Sequence, residues 1–514
     1  MDQILLDFRA SRGTIAPEIY GHFTEHIGGV IYDGIWHNGK LREELIEELK
    51  KLEPPVIRWP GGCFAEEYDW TNGIGPRESR PTTVNVWYSQ DKKVETNEFG
   101  THEFMEFCRR VGAKPYFAAN LASVAPMHIR NWMEYCNAPE GLTTLARKRA
   151  ENGDPAPFNV PYWGLGNENW GGGGCMSARQ YARAFRQLKA VTATVGNMPF
   201  MDNVGQFNIT GAEEKRRGFA APGLKVMACG PTENGPGALQ WTEDFLAEYV
   251  DTTLPTGLPD GFSMHYYCPH TGDPLSYTQD EWEKMLFIAD EMRHHIDRHR
   301  KMMDKYDPRR KIALVVDEWG NWHHDGSGPS KGANLYEQQS TLRDAAVAGI
   351  TLNDFNNRCD VVAMANVAQL VNNIHSLFLT SRDRICKTPT YHVFEMYMPH
   401  KGARQISVVN GSGFRERKGF MPMPQVHASA SEKDGYATIT LVNTDMTRDR
   451  QVKLGAISGE LGEATVKLLY SADPHDHNDF ENPDRVTVRE GCLNNDNVLT
   501  IPAAGIAAVT WKKI

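Results

Sequence analysis

The chain has 514 residues, with 55 Lys and Arg against 65 Asp and Glu for a formal net charge of −10. Hydrophobic residues make up 40% and charged residues 23%, an ordinary globular balance. The acidic excess is spread without long runs, which disfavours nucleic acid or an anionic membrane as a main partner. The length exceeds one ordinary domain and suits a β/α barrel of about 250 residues or more with an accessory module.

The start, Met1-Asp-Gln-Ile-Leu-Leu-Asp-Phe, lacks the basic segment and apolar core of a secretory signal. No apolar run approaches a membrane span. The nine cysteines are odd in number and form no CxxC pair, which predicts reduced thiols and a cytoplasmic protein. A processed secreted form has the same appearance.

From about residue 15 to 385, short apolar runs alternate with amphipathic stretches. Strands are predicted at Ile15–Gly21, Pro55–Trp59, Lys114–Ala119, Tyr162–Gly166, Lys225–Cys229, Gly261–Tyr266, Lys311–Asp317 and Val361–Asn366. Pro199–Val204 competes for the fifth place. Helices are predicted at Leu41–Leu52, Glu103–Val111, Ala178–Val195 and Asp280–Tyr306. Eight strands alternating with helices predict parallel βαβ units closed into a barrel. After about residue 390, Val426–Ala430, Tyr436–Asn443, Arg450–Lys453, Ala464–Tyr470, Val486–Arg489 and Val498–Ile501 alternate polar and apolar, with turn residues between them. They predict an antiparallel β-sandwich, joined by the opening strand Gln3–Phe8. The expected division is 1–14, 15–388 and 389–514.

Two of the barrel runs end in an acid beside tryptophan: Gly164-Leu-Gly-Asn167-Glu168-Asn-Trp170 and Val315-Val316-Asp317-Glu318-Trp319. A carboxylate just past a strand end is where such a barrel holds its chemistry. Two facing one pocket suit glycosidic bond cleavage, one giving a proton and the other attacking or activating water. The tryptophans offer flat apolar faces for a sugar. An N-cap cluster would use the same residues around Glu168, although the Gly171–Gly174 run that follows cannot be a regular helix. Glu318 follows a fully apolar strand, where a charge needs partners. Arg58, ending the second strand, is a suitable cation, and a structural Arg–carboxylate pair is the plain alternative.

Lesser candidates sit at other strand ends. In Ser263-Met-His265-Tyr266-Tyr267, Tyr267 can donate to the nucleophile and His265 can orient a neighbouring carboxylate, though a strand-end His is often structural. Tyr20-Gly-His22-Phe-Thr-Glu25-His26 suits a hydroxyl-binding loop or a solvated turn. Arg58-Trp-Pro-Gly-Gly-Cys63-Phe runs into a tight turn where Cys63 touches a sugar or is simply packed. Gln369, after the eighth strand, has a polar head for a sugar oxygen or for solvent. No HExxH, thiolate cluster or P-loop lysine is present, so no metal and no cofactor are expected.

These stretches resemble the family 51 glycoside hydrolases, the α-L-arabinofuranosidases. The resemblance runs in order through Gly21-His-Phe-Thr-Glu25-His, Arg58-Trp-Pro-Gly-Gly-Cys-Phe, Asp69-Trp-Thr-Asn-Gly-Ile-Gly-Pro, Asn131-Trp-Met-Glu-Tyr-Cys-Asn, Gly164-Leu-Gly-Asn-Glu168, His265-Tyr-Tyr, Asp317-Glu-Trp, Asn366-Val-Ala-Gln and Asn478-Asp-Phe-Glu-Asn-Pro-Asp. It implies an α/β fold, a (β/α)8 TIM barrel with a jelly-roll β-sandwich that takes the N-terminal strand. It implies a retaining exo-acting enzyme, with Glu168 as acid/base and Glu318 as nucleophile. Glu25, Cys63, Asn167, Tyr267 and Gln369 then hold the arabinofuranosyl ring, and Arg58 and His265 support the acids. The implied partners are arabinan, arabinoxylan or arabino-oligosaccharides and, within a hexamer, copies of the chain. The alternative is a β-xylosidase or β-1,4-glucan-cleaving enzyme with the same carboxylate pair. Relatives often carry Asn at Cys63 and differ over Asn169–Met176, which touches leaving-group preference.

Overall fold

A computed structural model describes residues 2–89, 91–192, 195, 224–250 and 257–513. Eight parallel strands form a closed barrel: Gly21–Phe23, Val56–Trp59, Lys114–Ala119, Tyr162–Leu165, Lys225–Ala228, Gly261–Pro269, Ala313–Trp322 and Val362–Ala368. The eighth closes on the first through Asn366 opposite Gly21 and Ala368 opposite Phe23. Lys225–Ala228 takes the fifth place; the competing Pro199–Val204 lies outside the described residues. Val56, Tyr116, Tyr162, Met227, Val315 and Met364 fill the interior, which is therefore a packed core and not a pore.

The first strand is displaced from its predicted place. Pro17–Tyr20 is a 3-10 turn, and the strand begins only at Gly21. Pro17 has no N–H for a ladder and its fixed φ suits the first helical position. The sixth and seventh strands overrun their predicted ends, so Tyr267 and Glu318 lie within strands instead of beyond them. The seventh is also bulged. Val316 pairs with Met264 but Glu318 with His265, leaving Asp317 as an extra residue. A bulge breaks the strict alternation of faces, and here both acids find partners on the barrel's inner side. Asp317 accepts from Tyr116 at 3.0 Å and Glu318 from Tyr267 at 2.8 Å.

The C-terminal strands form one hydrogen-bonded series of nine, with Asp2–Asp7 between Arg404–Asn410 and Arg450–Ser458. Ile4, Leu6, Val452 and Ile501 from one half share a core with Ile439, Leu441, Val509 and Trp511 from the other, so the series folds over on itself. Its pairings are antiparallel except for the opening strand, which runs parallel to Arg450–Ser458. Arg404–Asn410 and Ile506–Lys513 are strands beyond those expected.

The barrel and this unit meet across Leu342–Asn356, a helix buried at every residue. Burial on every face places it inside the molecule even though it carries Arg343, Asp344, Asn353, Asp354 and Asn356. Asn353 bonds across the seam, its Oδ1 accepting from Ser429 and Thr440, each at 2.7 Å. Among the described residues no helix is long and apolar enough to cross a membrane.

Candidate active site

Glu168 and Glu318 come together at one end of the barrel with His265 between them. One ligand atom from each of the three lies within 4.8 Å of the others. His265 Nδ1 is 2.9 Å from Glu168 Oε1 and 3.5 Å from Glu318 Oε2. Burial alone would depress the imidazole, but the charges on Glu318 and Glu168 outweigh it and raise its pKa. The ring nitrogen thus faces both carboxylates at once.

The two carboxylates have different surroundings. Glu318 is 5% exposed and multiply held. Arg58 Nη1 donates to its Oε1 at 2.8 Å and the Tyr267 hydroxyl to its Oε2 at 2.8 Å. Burial favours the neutral acid, yet His265 and Arg58 prevail and hold its pKa below the usual range. It is therefore ionised at neutral pH. Glu168 sits in the turn after the fourth strand, in the left-handed region at φ 43°. Its carboxylate is partly exposed and faces a cavity of about 560 Å³ lined by Trp170, Asn234, Tyr267, His270 and Trp322. Its other oxygen lies 3.7 Å from the Cys63 thiol. Burial first, then the charges of Glu168, Glu25 and Glu318, push that thiol far up, so it stays protonated.

Asn167 and Gln369 turn amide groups toward the same place. Asn167 Oδ1 accepts from Arg58 Nη2 at 2.5 Å, while its Nδ2 is buried with no protein partner among the described residues. Gln369 Nε2 donates to Glu25 Oε2 at 3.0 Å, and its Oε1 is likewise unpartnered. Glu25 also accepts from the Phe64 amide at 3.0 Å. Burial and the charge of Glu318 raise its carboxyl to about 8. Gly62 is required by this approach, because a Cβ there would lie 2.4 Å from Glu25 Oε2.

The neighbouring histidines of that loop stay out of the site. His22 packs on Phe394 in the barrel wall, and His26 pairs with Glu95 at 2.8 Å.

The two flanking tryptophans are not equivalent, contrary to expectation. Trp170 lines the cavity. Trp319 is 1% exposed in the core behind the strand, against Phe355, His375 and Phe394, and offers no face to a sugar. The bulge that brings Asp317 and Glu318 inward leaves Trp319 facing out into the helical layer. Trp322, three residues on, lines the cavity instead and meets Tyr267 edge-on at 5.1 Å. Glu66 was not anticipated either: it is buried beneath the acid-bearing turn, and nothing in Glu66-Glu67 tells which of the pair turns inward.

The α-L-arabinofuranosidase 1 domain model matches residues 48–209, and the α-L-arabinofuranosidase C-terminal domain model matches 317–504. An intracellular exo-α-L-arabinofuranosidase of Bacteroides ovatus is 34% identical, over 92% of this chain and 87% of its own. The chain belongs to the family 51 α-L-arabinofuranosidases. The family 51 arabinofuranosidase of Xanthomonas axonopodis pv. citri is similar at a TM-score of 0.86 and 31% identity, over 99% of this chain and 100% of that one. The Thermotoga maritima α-L-arabinofuranosidase, solved as an arabinose complex, gives 0.82 and 27% over the whole of both chains. As a family 51 glycoside hydrolase, this chain brings a carboxylate pair with contrasting surroundings to the mouth of its barrel.

Proposed function

We propose that this enzyme removes terminal non-reducing α-L-arabinofuranosyl residues by a two-step displacement with retention. Family membership supports the activity, and one observation carries the mechanism: one carboxylate oxygen of Glu168 and one of Glu318 lie within 4.8 Å of each other. Retention uses carboxyls about 5 to 5.5 Å apart, whereas inversion needs roughly 6.5 to 9.5 Å to admit a water. Glu318, ionised between Arg58 and Tyr267, attacks the anomeric carbon while Glu168 protonates the departing oxygen. A covalent sugar ester forms. Glu168 then takes a proton from water, which releases arabinose.

In the same reading Asn167, Gln369, Glu25 and Cys63 hold the sugar's hydroxyls. Asn167 Nδ2 meets the 2-hydroxyl, a bond that tightens as charge develops on the ring. The substrates proposed are arabinoxylan, arabinan and arabino-oligosaccharides. Residues 15–388 form the catalytic unit and 1–14 with 389–514 the accessory one. A cytoplasmic location matches the name of the Bacteroides ovatus relative, and the assembly proposed from family resemblance is a homo-hexamer. A β-xylosidase or glucan-cleaving activity is not favoured, since the glucanase-xylanase and xyloglucanase neighbours share only the fold, at 12% identity.

Proton NMR of the first product of aryl α-L-arabinofuranoside hydrolysis tests this. The α-anomer of arabinofuranose must appear before mutarotation. First appearance of the β-anomer would end the double-displacement reading, and faster turnover of aryl xyloside would end the substrate assignment.

A further inference from the structure

We propose that Glu66 is a positioning residue that sets the aim of Glu168 by tying its turn to the neighbouring barrel loop. This rests on Glu168 being the acid/base. Glu66 lies in a 3-10 turn, Cys63–Glu67, that follows the second strand, and is 2% exposed. Its Oε1 accepts from the Asn167 amide at 2.7 Å and from Asn169 Nδ2 at 2.9 Å. Its Oε2 accepts from the amides of Leu121 at 2.7 Å and Ala122 at 2.8 Å, in the loop after the third strand.

The two residues held by Oε1 are those on either side of Glu168. Glu168 itself has φ 43°, a region ordinary side chains adopt only when their surroundings enforce it. Its carbonyl caps the glycine run, accepting from Gly171 at 2.8 Å and Gly173 at 3.1 Å. Gly173 fits because a Cβ there would meet the Asn167 carbonyl at 2.0 Å. The turn is thus closed from above by glycine amides and pinned from below by one carboxylate. Burial pushes that carboxyl up to about 7, with the amides of Ala122 and Asn167 pulling the other way. No substrate group needs to reach it.

Glutamine at this position keeps the shape but presents an amino group to one of the two pairs of N–H donors. One loop is then released whichever way it turns. The acid loses its aim, while Glu318, held by Arg58 and Tyr267, keeps its own.

Glu66→Gln is assayed on 4-nitrophenyl arabinofuranoside and on arabinobiose, with and without azide. We expect kcat/KM on arabinobiose to fall about 10-fold or more, short of the ~10² to 10⁴ of losing general acid catalysis outright. With the activated aryl substrate the loss should stay under about threefold, and azide should restore part of the rate. Equal loss on both substrates, or none on either, overturns the proposal. Should Glu66→Gln fail to fold, Asn169→Ala, which removes one bond on the Oε1 side, is assayed on the same two substrates, and the same results support or overturn the proposal. Glu168→Ala run alongside separates the two failures. A flat leaving-group response there removes the acid/base reading and this proposal with it. A graded response there with a flat one in Glu66→Gln overturns this proposal alone.

Discussion

Arg58 spans the two acid-bearing segments, its Nη1 on Glu318 and its Nη2 on Asn167, the residue beside Glu168. Both bonds are buried, and the ring of Phe23 lies 4.6 Å from the guanidinium carbon. A planar fork can hold two acceptors at fixed spacing, which an ammonium cannot. Arg58→Lys should therefore keep Glu318 charged but free Asn167. A charge-assisted bond contributes about 1.5 to 3 kcal/mol, so kcat/KM should fall roughly 10- to 150-fold. Steady-state kinetics on an aryl arabinofuranoside measures it, and activity within about threefold of the parent would remove the bridging role.

Glu318→Ala should abolish turnover with every leaving group. Glu168→Ala should harm alkyl and sugar leaving groups far more than activated aryl ones, by up to about 10² to 10⁴. Azide should rescue Glu168→Ala and yield a glycosyl azide of retained configuration, detected by NMR. Equal harm to both substrate types excludes Glu168 as the acid.

Tyr267 offers a narrower test, because its hydroxyl bonds the nucleophile and its ring lines the cavity. Tyr267→Phe should keep the fold and KM while lowering kcat, since the lost bond favours the ionised form of Glu318. The acid-side limb of the kcat/KM profile should move to higher pH. A profile that stays put would show the bond to be dispensable for ionisation.

The tryptophans should separate stability from binding. Trp319→Ala should cost about 3 to 5 kcal/mol of stability, as for other large core truncations. Trp170→Ala should leave the melting temperature close to the parent's and raise KM for oligosaccharides. Thermal melts and Michaelis curves on both variants decide it; a KM effect from a well-folded Trp319→Phe would place Trp319 back at the sugar.

At the seam between barrel and C-terminal strands, His427 lies 3.4 Å from Asp290 and 3.3 Å from Asp354. Burial opposes its charge, but Asp354 and Asp290 raise its pKa from 6.5 to about 9. A raised histidine contributes stability that is fully present below its unfolded value and lost as pH rises through the folded one. The difference in urea midpoint between the parent and His427→Gln should therefore be largest near pH 6 and shrink toward pH 10 (about one unit beyond the folded value). A difference constant over that range would show the ring to be uncharged.

The apolar runs and their punctuation made most of the barrel legible, because a buried parallel strand is a short hydrophobic burst whatever its neighbours. Gly21–Phe23 escaped, being only three residues long behind an apolar 3-10 turn that reads as strand. The acids at 168 and 318 were visible as charges closing apolar runs. What surrounds them was less so. Asp317, Glu318 and Trp319 follow one another, and only the bulge decides which of them face inward. Trp319 therefore looked like a partner of Trp170 although it packs on Phe394. Glu66 carries little signal because three of its four partners are backbone amides, which any residue type supplies.

The placement of Asp2–Asp7 between Arg404–Asn410 and Arg450–Ser458 has a consequence for biogenesis. Made before both of them, this segment waits for neighbours that emerge nearly 400 residues later or more, tens of seconds at about 5 to 20 residues per second. Until they arrive it is a loose thread. Clipping the first eight residues from the finished protein would bare two strand margins at once, a template for clumping between molecules.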